Sequence, residues 1–233
     1  MNKEEFIKSL KEINIEITET QLNQLEEYYN LLVTENKKYN LTSITEKEQV
    51  YLKHFYDSLT IIKIIDLKDQ YLLDIGSGAG FPGLVLKIVF PNLKIDLLDS
   101  TNKKCLFLQK VIDTLELKNI TVINARAEEY AKENREIYDI VTSRAVAPLK
   151  HLLEYSIPTL KVNGNFISLK SNIEEEIKNI NNYYNKLYLS QEEIIKYELP
   201  YEHSLRTLYK VTKTKETPLI YPRMYSQIKK KDI

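Results

Sequence analysis

The chain has 233 residues, 43% of them hydrophobic, enough for one α/β domain with an extension and a buried core. Its 33 basic and 33 acidic residues cancel, it has no apolar run of the about 18 residues that a membrane span needs, and the charged start Met1-Asn2-Lys3-Glu4-Glu5 does not read as a secretory signal, so a soluble, cytoplasmic protein is expected. Cys105 is the only cysteine, which excludes an intrachain disulfide and a cysteine-based zinc cluster; between Lys104 and Leu106-Phe107-Leu108 on a predicted helix it suits a small core residue.

In chain order, residues 3–65 read as helical: Leu22, Leu25, Tyr29, Leu32 and Val33 recur at helical spacing, and Thr45 with Glu48 has the form of a capping box. Residues 1–66 are therefore taken as an N-terminal helical extension. From Tyr71 the period changes, and short apolar runs at 72–75, 94–98, 120–124, 138–142 and 165–169 alternate with helical segments. Strands buried on both faces in strand–helix alternation predict a doubly wound parallel sheet, here over 67–215. After a polar helix near 172–186, residues 192–199 and 206–212 read as two more strands joined through Pro200, an antiparallel pair at the sheet edge. Residues 216–233 are read as a basic tail. From His203 onward eight basic residues face only Glu216 and Asp232, a balance that fits either contact with a phosphate backbone or a solvated end.

Four of the five glycines, Gly76, Gly78, Gly80 and Gly83, crowd into eight residues directly after the first predicted strand. Such crowding marks a backbone that approaches something too closely for a Cβ. Pro82 is expected at the first helical position. Strand, glycine turn and helix N-terminus together predict a nucleotide-cofactor cradle.

The cradle fits two templates. Gly78-Ala79-Gly80-Phe81-Pro82-Gly83 with Asp99 about 20 residues on resembles the dinucleotide fingerprint of an NAD(P)-dependent oxidoreductase. Gly76-Ser77-Gly78-Ala79-Gly80 preceded by Asp74 resembles equally the loop of S-adenosylmethionine-dependent methyltransferases. The rest of the chain favours the second. The only Tyr-x-x-x-Lys pairs, Tyr209/Lys213 and Tyr225/Lys229, fall on a predicted strand and in the basic tail, where neither can face a nicotinamide. Five parallel strands closed by an antiparallel pair also follow the methyltransferase plan.

A more specific resemblance runs from about residue 40 to 223. Asn40-Leu41-Thr42, His54-Phe55-Tyr56-Asp57-Ser58-Leu59, Leu73-Asp74-Ile75-Gly76-Ser77-Gly78-Ala79-Gly80-Phe81-Pro82-Gly83, Arg126-Ala127-Glu128, Ser143-Arg144-Ala145-Val146-Ala147-Pro148-Leu149 and Tyr221-Pro222-Arg223 follow in order. Together they resemble the bacterial small-subunit ribosomal RNA guanine-N7 methyltransferases, formerly glucose-inhibited division protein B. Leu169-Lys170-Ser171 departs from the lysine-glycine pair of that family. The resemblance implies a Rossmann-like class I α/β fold, a seven-stranded mostly parallel sheet with an N-terminal helical extension. It implies S-adenosyl-L-methionine as cofactor, 16S ribosomal RNA of the small subunit as partner, and methyl transfer to N7 of a guanine. Another RNA, a small molecule or a protein remains the alternative acceptor.

On this basis the loop N–H groups of Gly76, Gly78 and Gly80 are expected to hold the methionine end of the cofactor, whose carboxylate suits a helix N-terminus. Asp74 is expected near its ammonium, Asp99 at the ribose hydroxyls, and Ala127 with Glu128 at the adenine edge. The resemblance adds Phe81 and Arg144 to the binding set. Lys150, Lys170, Arg206, Arg223, Lys229, Lys230 and Lys231 are candidate RNA contacts, with Tyr209, Tyr221 and Tyr225 interleaved as stacking surfaces.

No catalytic residue is assigned. Guanine N7 has an in-plane lone pair and no proton at neutral pH, so alignment suffices and no general base is required. The chain has no Pro-Pro dipeptide, hence no Asn/Asp-Pro-Pro-aromatic clamp for exocyclic amines, and Cys105 is badly placed to be a nucleophile. His54, His151 and His203 are scattered and suggest no metal site; His54 is assigned to packing or a cap. A monomer without metal is expected.

Overall fold

The computed structural model describes all 233 residues. The extension comprises α1 (Lys3–Glu12), α2 (Glu19–Tyr39), α3 (Lys47–Val50), a π-helical turn Tyr51–Tyr56, α4 (Asp57–Leu59) and a 3-10 turn Thr60–Lys63. Asn2 with Glu5 and Thr18 with Gln21 form capping boxes at α1 and α2, satisfying N–H groups that the first turn leaves unpaired. The box expected from Thr45 and Glu48 does not form. Glu46 caps α3 instead, its carboxylate accepting from the Glu48 and Gln49 N–H groups at 3.2 and 3.1 Å, where a negative charge is favoured.

The sheet is built from β1 (Tyr71–Ile75), β2 (Lys94–Asp99), β3 (Ile120–Asn124), β4 (Tyr138–Arg144), β5 (Leu160–Lys170), β6 (Glu193–Glu198) and β7 (Leu205–Thr212), in the order β3-β2-β1-β4-β5-β7-β6. The first five strands are parallel, and β7 enters antiparallel between β5 and β6. The expected closing pair is therefore present. Strand β5 begins five residues earlier than its apolar run predicts, because Lys161, Val162 and Asn163 are exposed and break the apolar pattern after Leu160. The helices between and after the strands are α5 (Gly83–Val89), α6 (Asn102–Thr114), α7 (Ala127–Glu133), α8 (Leu149–Ser156), α9 (Glu174–Ile177), α10 (Asn181–Leu187) and α11 (Tyr225–Lys230). The single polar helix predicted near 172–186 is split into α9 and α10.

Alternation along the strands sorts the core. Leu72, Ile95, Leu97, Ile140, Ile167 and Leu208 point to one face, where they share an apolar cluster with α5, α6 and the extension's Phe6, Leu25, Tyr28, Leu32 and Phe55. Leu73, Leu98, Val141, Phe166 and Tyr209 point to the other, against Leu152 and Leu153 of α8, Leu187 of α10 and Ile228 of α11. The extension is thus packed into the same core as one sheet face.

The last residues do not form a free basic tail. Arg223 binds the fully buried Glu154 through Nε and Nη2, both at 2.7 Å, and its own backbone N–H donates to the same carboxylate at 3.0 Å. Ile228 and Ile233 are buried beyond it, and Lys150 pairs with Asp232 at 2.7 Å. The apolar spacing of Ile228 and Ile233 anchors a segment whose lysines alone suggested solvent.

Removing one partner of a buried pair strands the other charge, at a cost of about 3–5 kcal/mol. Arg223→Ala is accordingly expected to lower the urea unfolding free energy by about that amount, whereas the combined Arg223→Met and Glu154→Leu replacement loses less. Equal losses in the two variants would show that Glu154 is not stranded.

Candidate cofactor and acceptor cleft

A cleft of about 960 Å³ opens at the carboxyl ends of β1, β2 and β4, the edge where open α/β sheets bind ligands. Its size lies at the upper end of the usual range for small-molecule sites. One wall is the glycine turn. Gly76, Gly78 and Gly80 have φ of +70°, +58° and +102°, backbone that L side chains rarely adopt. A Cβ on Gly80 would fall on the Leu84 side chain and the Tyr28 hydroxyl, and one on Gly76 would fall on Val146. At Gly78 it would meet nothing closer than the Gly76 carbonyl at 3.8 Å, so this glycine leaves room in the cleft.

Two carboxylates hold the turn. Asp99, at the end of β2, accepts from the Gly78 N–H at 2.9 Å with Oδ2 and from the Thr101 N–H at 2.8 Å with Oδ1. Asp74, at the end of β1, is fully buried and accepts from the Gly83 N–H at 3.0 Å with Oδ2. Gly83 opens α5, and Pro82, expected inside this helix, is its N-cap residue.

Two expectations are corrected here. The Gly76 and Gly80 N–H groups donate to the Leu98 and Ser77 carbonyls, both at 2.7 Å, and that of Gly78 to Asp99. The turn therefore satisfies the donors of these three glycines, because its tight left-handed path folds their N–H groups back onto the sheet edge or the turn. The glycines offer the cleft close backbone approach, not N–H donation. Asp74 lies behind the turn, outside the cleft wall, since its side chain is drawn to the α5 N-terminus; Gly80 also lies outside that wall.

Asp99, Ala127 and Glu128 do line the cleft. Asp99 uses one lone pair on each oxygen internally, leaving one on each for a vicinal diol. Ala127 and Glu128 open α7, where first-turn N–H groups have no intrahelical partner; the Glu128 carboxylate accepts from Arg126 Nε at 2.7 Å. This donor and acceptor set, with Gly78 open beside it, fits an adenosine carrying a short amino-acid chain.

The opposite wall comes from the extension. Leu41, Thr42, Ile44, Lys53, His54 and Asp57 face Arg144 and Arg206 across it. The His54 ring stacks on Phe81 at 4.3 Å between centroids, and the Arg144 guanidinium lies 5.0 Å from the centre of the Phe81 ring. Arg144 donates to the Lys53 carbonyl at 2.8 Å and to Asp57 at 3.2 Å, and its Nη2 lies 3.1 Å from His54 Nδ1. Burial, with the Arg144 charge beside it, lowers the His54 pKa to about 3, so the ring is neutral at physiological pH. His54 Nδ1 lies between the Arg144 guanidinium, which only donates, and the Lys53 carbonyl at 3.2 Å, which only accepts, and Nε2 lies 3.0 Å from Thr42 Oγ1, so the neutral ring meets one of its two Nδ1 partners at a time. His54 is thus part of the cleft, a role beyond packing. The signal in sequence is the His54-x-x-Asp57 spacing, which places both on one face of a helix.

The candidate RNA contacts divide. Lys229 lines the cleft beside Tyr225, while Lys230 and Lys231 are exposed. Arg206 lines it with Nε 3.4 Å from Asp57. Lys170 reaches the cleft wall, but its ammonium is committed to the Ala147 carbonyl at 3.0 Å and to Glu176 at 2.8 Å. Arg223 and Lys150 are engaged by Glu154 and Asp232. Lys53, Lys104, Arg126 and Tyr155 join the lining without having been singled out in sequence. In all, seven basic side chains and three acidic ones line the cleft of a chain with no net charge.

The protein family described as rRNA small subunit methyltransferase G matches residues 21–205. The ribosomal RNA small subunit methyltransferase G of Bacillus subtilis is 46% identical over 227 residues, covering 96% of this chain and 95% of the relative. Among solved structures, a precorrin-6y C5,15-methyltransferase from Geobacter metallireducens is similar with a TM-score of 0.56 at 15% identity, over 75% of this chain and 91% of the other. M. jannaschii TYW2 in complex with AdoMet gives a TM-score of 0.52 at 16% identity, over 67% and 74%. At such low identity the last two speak for the fold alone, that of class I methyltransferases.

Two measurements test this geometry. Gly78→Ala is expected to unfold within about 1–2 kcal/mol of wild type, the cost of its left-handed backbone, while its methyl group weakens S-adenosylmethionine binding by calorimetry. Gly80→Ala, with steric conflict added, is expected to lose more stability than Gly78→Ala.

Burial raises the Asp74 pKa from 3.8 to about 7, against the Gly83 bond that lowers it. Between those values the native state holds a proton that the unfolded chain has released, so this site makes stability fall as pH rises, by at most on the order of 4 kcal/mol. Asp74→Asn is expected to flatten the pH dependence of urea unfolding between about pH 4 and 7; an unaltered slope would show Asp74 to be ionised throughout.

Proposed function

Because the chain belongs to the rRNA small subunit methyltransferase G family, we propose that it transfers a methyl group from S-adenosylmethionine to N7 of a guanine in 16S ribosomal RNA, as a monomer in the cytoplasm. The observation that carries this reading is the joint cleft: a glycine turn with a free-sided carboxylate at one end, and at the other a wall where Arg144 and Arg206 of the sheet meet the helical extension.

Asp99, Gly76, Gly78, Phe81, Ala127, Glu128 and Arg144 are assigned to the cofactor. Gly76 and Gly78 allow close approach, Asp99 accepts from the ribose hydroxyls, and the α7 N-terminus faces the adenine. Asp74 contributes by fixing the turn from behind. When bound, S-adenosylmethionine supplies a methyl group on a sulfonium centre, which the N7 lone pair takes by displacement with the bonding pair left on sulfur. No group in the cleft has to remove a proton. Neutral His54, fixed by Arg144 and Thr42, is suited to hold a wall of the acceptor site and is not poised as an acid at neutral pH. Alignment of acceptor and donor then accounts for catalysis, an effect worth about 7–11 kcal/mol in favourable cases.

The excess of basic side chains attracts the RNA backbone, and Lys230 with Lys231 extends it beyond the cleft. Small ribosomal subunits from a strain lacking this methylation, incubated with enzyme and labelled S-adenosylmethionine, are expected to gain label at one guanine, mapped by primer extension after cleavage at N7-methylguanosine. Label on another atom or on protein would overturn the reading. Replacing Lys230 and Lys231 with alanine is expected to reduce the slope of log affinity against log salt by about 0.7–0.9 for each phosphate left without its cation, with cofactor affinity unchanged.

A further inference from the structure

Asp57 sits where the helical extension meets the sheet and is only 5% exposed. One carboxylate oxygen accepts from Arg144 at 3.2 Å. The other lies 3.4 Å from Arg206 Nε and accepts from the Tyr197 hydroxyl at 3.2 Å. Arg144 ends β4 and Arg206 lies on β7, strands separated in the sheet by β5. A single carboxylate thus gathers two guanidinium groups from non-adjacent strands, both on the cleft wall.

The two arginines are held unequally. Arg144 keeps the Lys53 carbonyl and His54 Nδ1 whatever happens at Asp57. Apart from Asp57, Arg206 bonds only to the carbonyl of its neighbour Leu205, at 2.9 Å, through Nη1. Two cations crowded on one anion repel each other once that anion is neutralised. With Asp57 the pair also carries one net positive charge, the complement of a single backbone phosphate.

The local backbone is suited to this. The turn Tyr51–Tyr56 is π-helical, a rare conformation found frequently at functional sites, and together with the residue that follows it presents Lys53, His54 and Asp57 to the same arginine. Tyr197 of edge strand β6 closes the far side, its hydroxyl also 2.6 Å from Thr60 Oγ1. Lys53 reaches the β6–β7 connection, pairing with Glu202 at 2.8 Å.

We propose that Asp57 is a positioning residue: it steadies Arg144 on the cofactor side and sets the Arg206 guanidinium to take an RNA backbone phosphate beside the acceptor base. This rests on the function proposed above. Asp57 touches neither substrate nor cofactor and acts through the two arginines.

The test is Asp57→Asn, which keeps shape and removes charge, run beside wild type on small subunits. Turnover is expected to fall about tenfold or more, since small misplacements are costly to aligned reactions, while KM for S-adenosylmethionine stays within about threefold because Arg144 keeps its other partners. RNA binding, read without turnover, is expected to be no weaker at low salt and to have a steeper salt slope, because a freed guanidinium is available to neutralise one more phosphate. A merely structural role would instead depress urea stability, both KM values and RNA binding together. Turnover within about twofold of wild type, or a flatter salt slope, would overturn the proposal. If Asp57→Asn does not fold, Tyr197→Phe removes one bond to Asp57 together with the Thr60 contact, and Thr60→Val, which removes the latter but not the former, serves as its control; a few-fold loss of turnover at unchanged S-adenosylmethionine KM is expected for Tyr197→Phe beyond that of the control, and no such loss overturns the proposal. A wild-type protein inactive on small subunits would sink the function itself, and the binding measurement would still decide the role of Asp57.

Discussion

Two carboxylates at the ends of adjacent parallel strands fix the geometry on which the cleft depends. Asp74 on β1 takes the Gly83 N–H and Asp99 on β2 takes the Gly78 N–H, so a turn made of left-handed glycines is tied to the sheet at both ends. The Tyr28 hydroxyl adds a third tie, donating to the Ala79 carbonyl from the helical extension. A glycine turn is costly in backbone entropy and is held in one conformation only when its surroundings over-determine it. Here buried acceptors do so, which leaves the shape of the turn, and not the N–H groups of its left-handed glycines, as what they offer a ligand.

The extension is the second condition for the cleft. Tyr28 stacks with Phe55 and Phe81 at 5.5 and 5.6 Å, so α2, the π-helical turn and the glycine turn meet in one aromatic cluster. Phe81 then carries His54 on its ring and lies within reach of the Arg144 cation. Tyr28, Phe55, Phe81, His54 and Arg144 thus form one unbroken line of contacts from the extension to the end of β4. The sheet edge and its loops build most of the cleft; the helical extension closes the side at Phe81 and Arg144.

Much of this was legible in the sequence. The change of hydrophobic period at Tyr71, the crowded glycines and the closing strand pair predicted a parallel sheet ended by an antiparallel pair, and the position of the turn. Asp99, Ala127 and Glu128 were expected in the cleft from their places after successive strands and Arg144 from the family resemblance, and all four line it. Less legible was what depends on side-chain direction. Asp74 and Asp99 look equivalent in sequence, yet one points behind the turn and one faces the cleft. The C-terminal lysines suggested a solvated or RNA-bound tail, whereas Arg223, Ile228 and Ile233 dock it on α8 and α10, because a pair of buried apolar residues and a buried ion pair outweigh a run of exposed charge. His54 looked like packing because its partner Arg144 lies 90 residues away in the chain.

The charge pattern of the cleft agrees with the chemistry proposed for it. Displacement of a methyl group from a sulfonium by a neutral guanine moves one positive charge along the reaction axis without creating another, so the total in the cleft does not change. A basic wall therefore need not raise the barrier, as it would if a cation were formed from neutral reactants beside it, and it remains free to attract phosphate. The proposed displacement asks for no base, and burial with the arginine beside it keeps His54 neutral. The acids of the cleft are each engaged, Asp99 by the glycine turn, Glu128 by Arg126 and Asp57 by two arginines, so their charges fix geometry. The seven cations outnumber them and give the opening its sign.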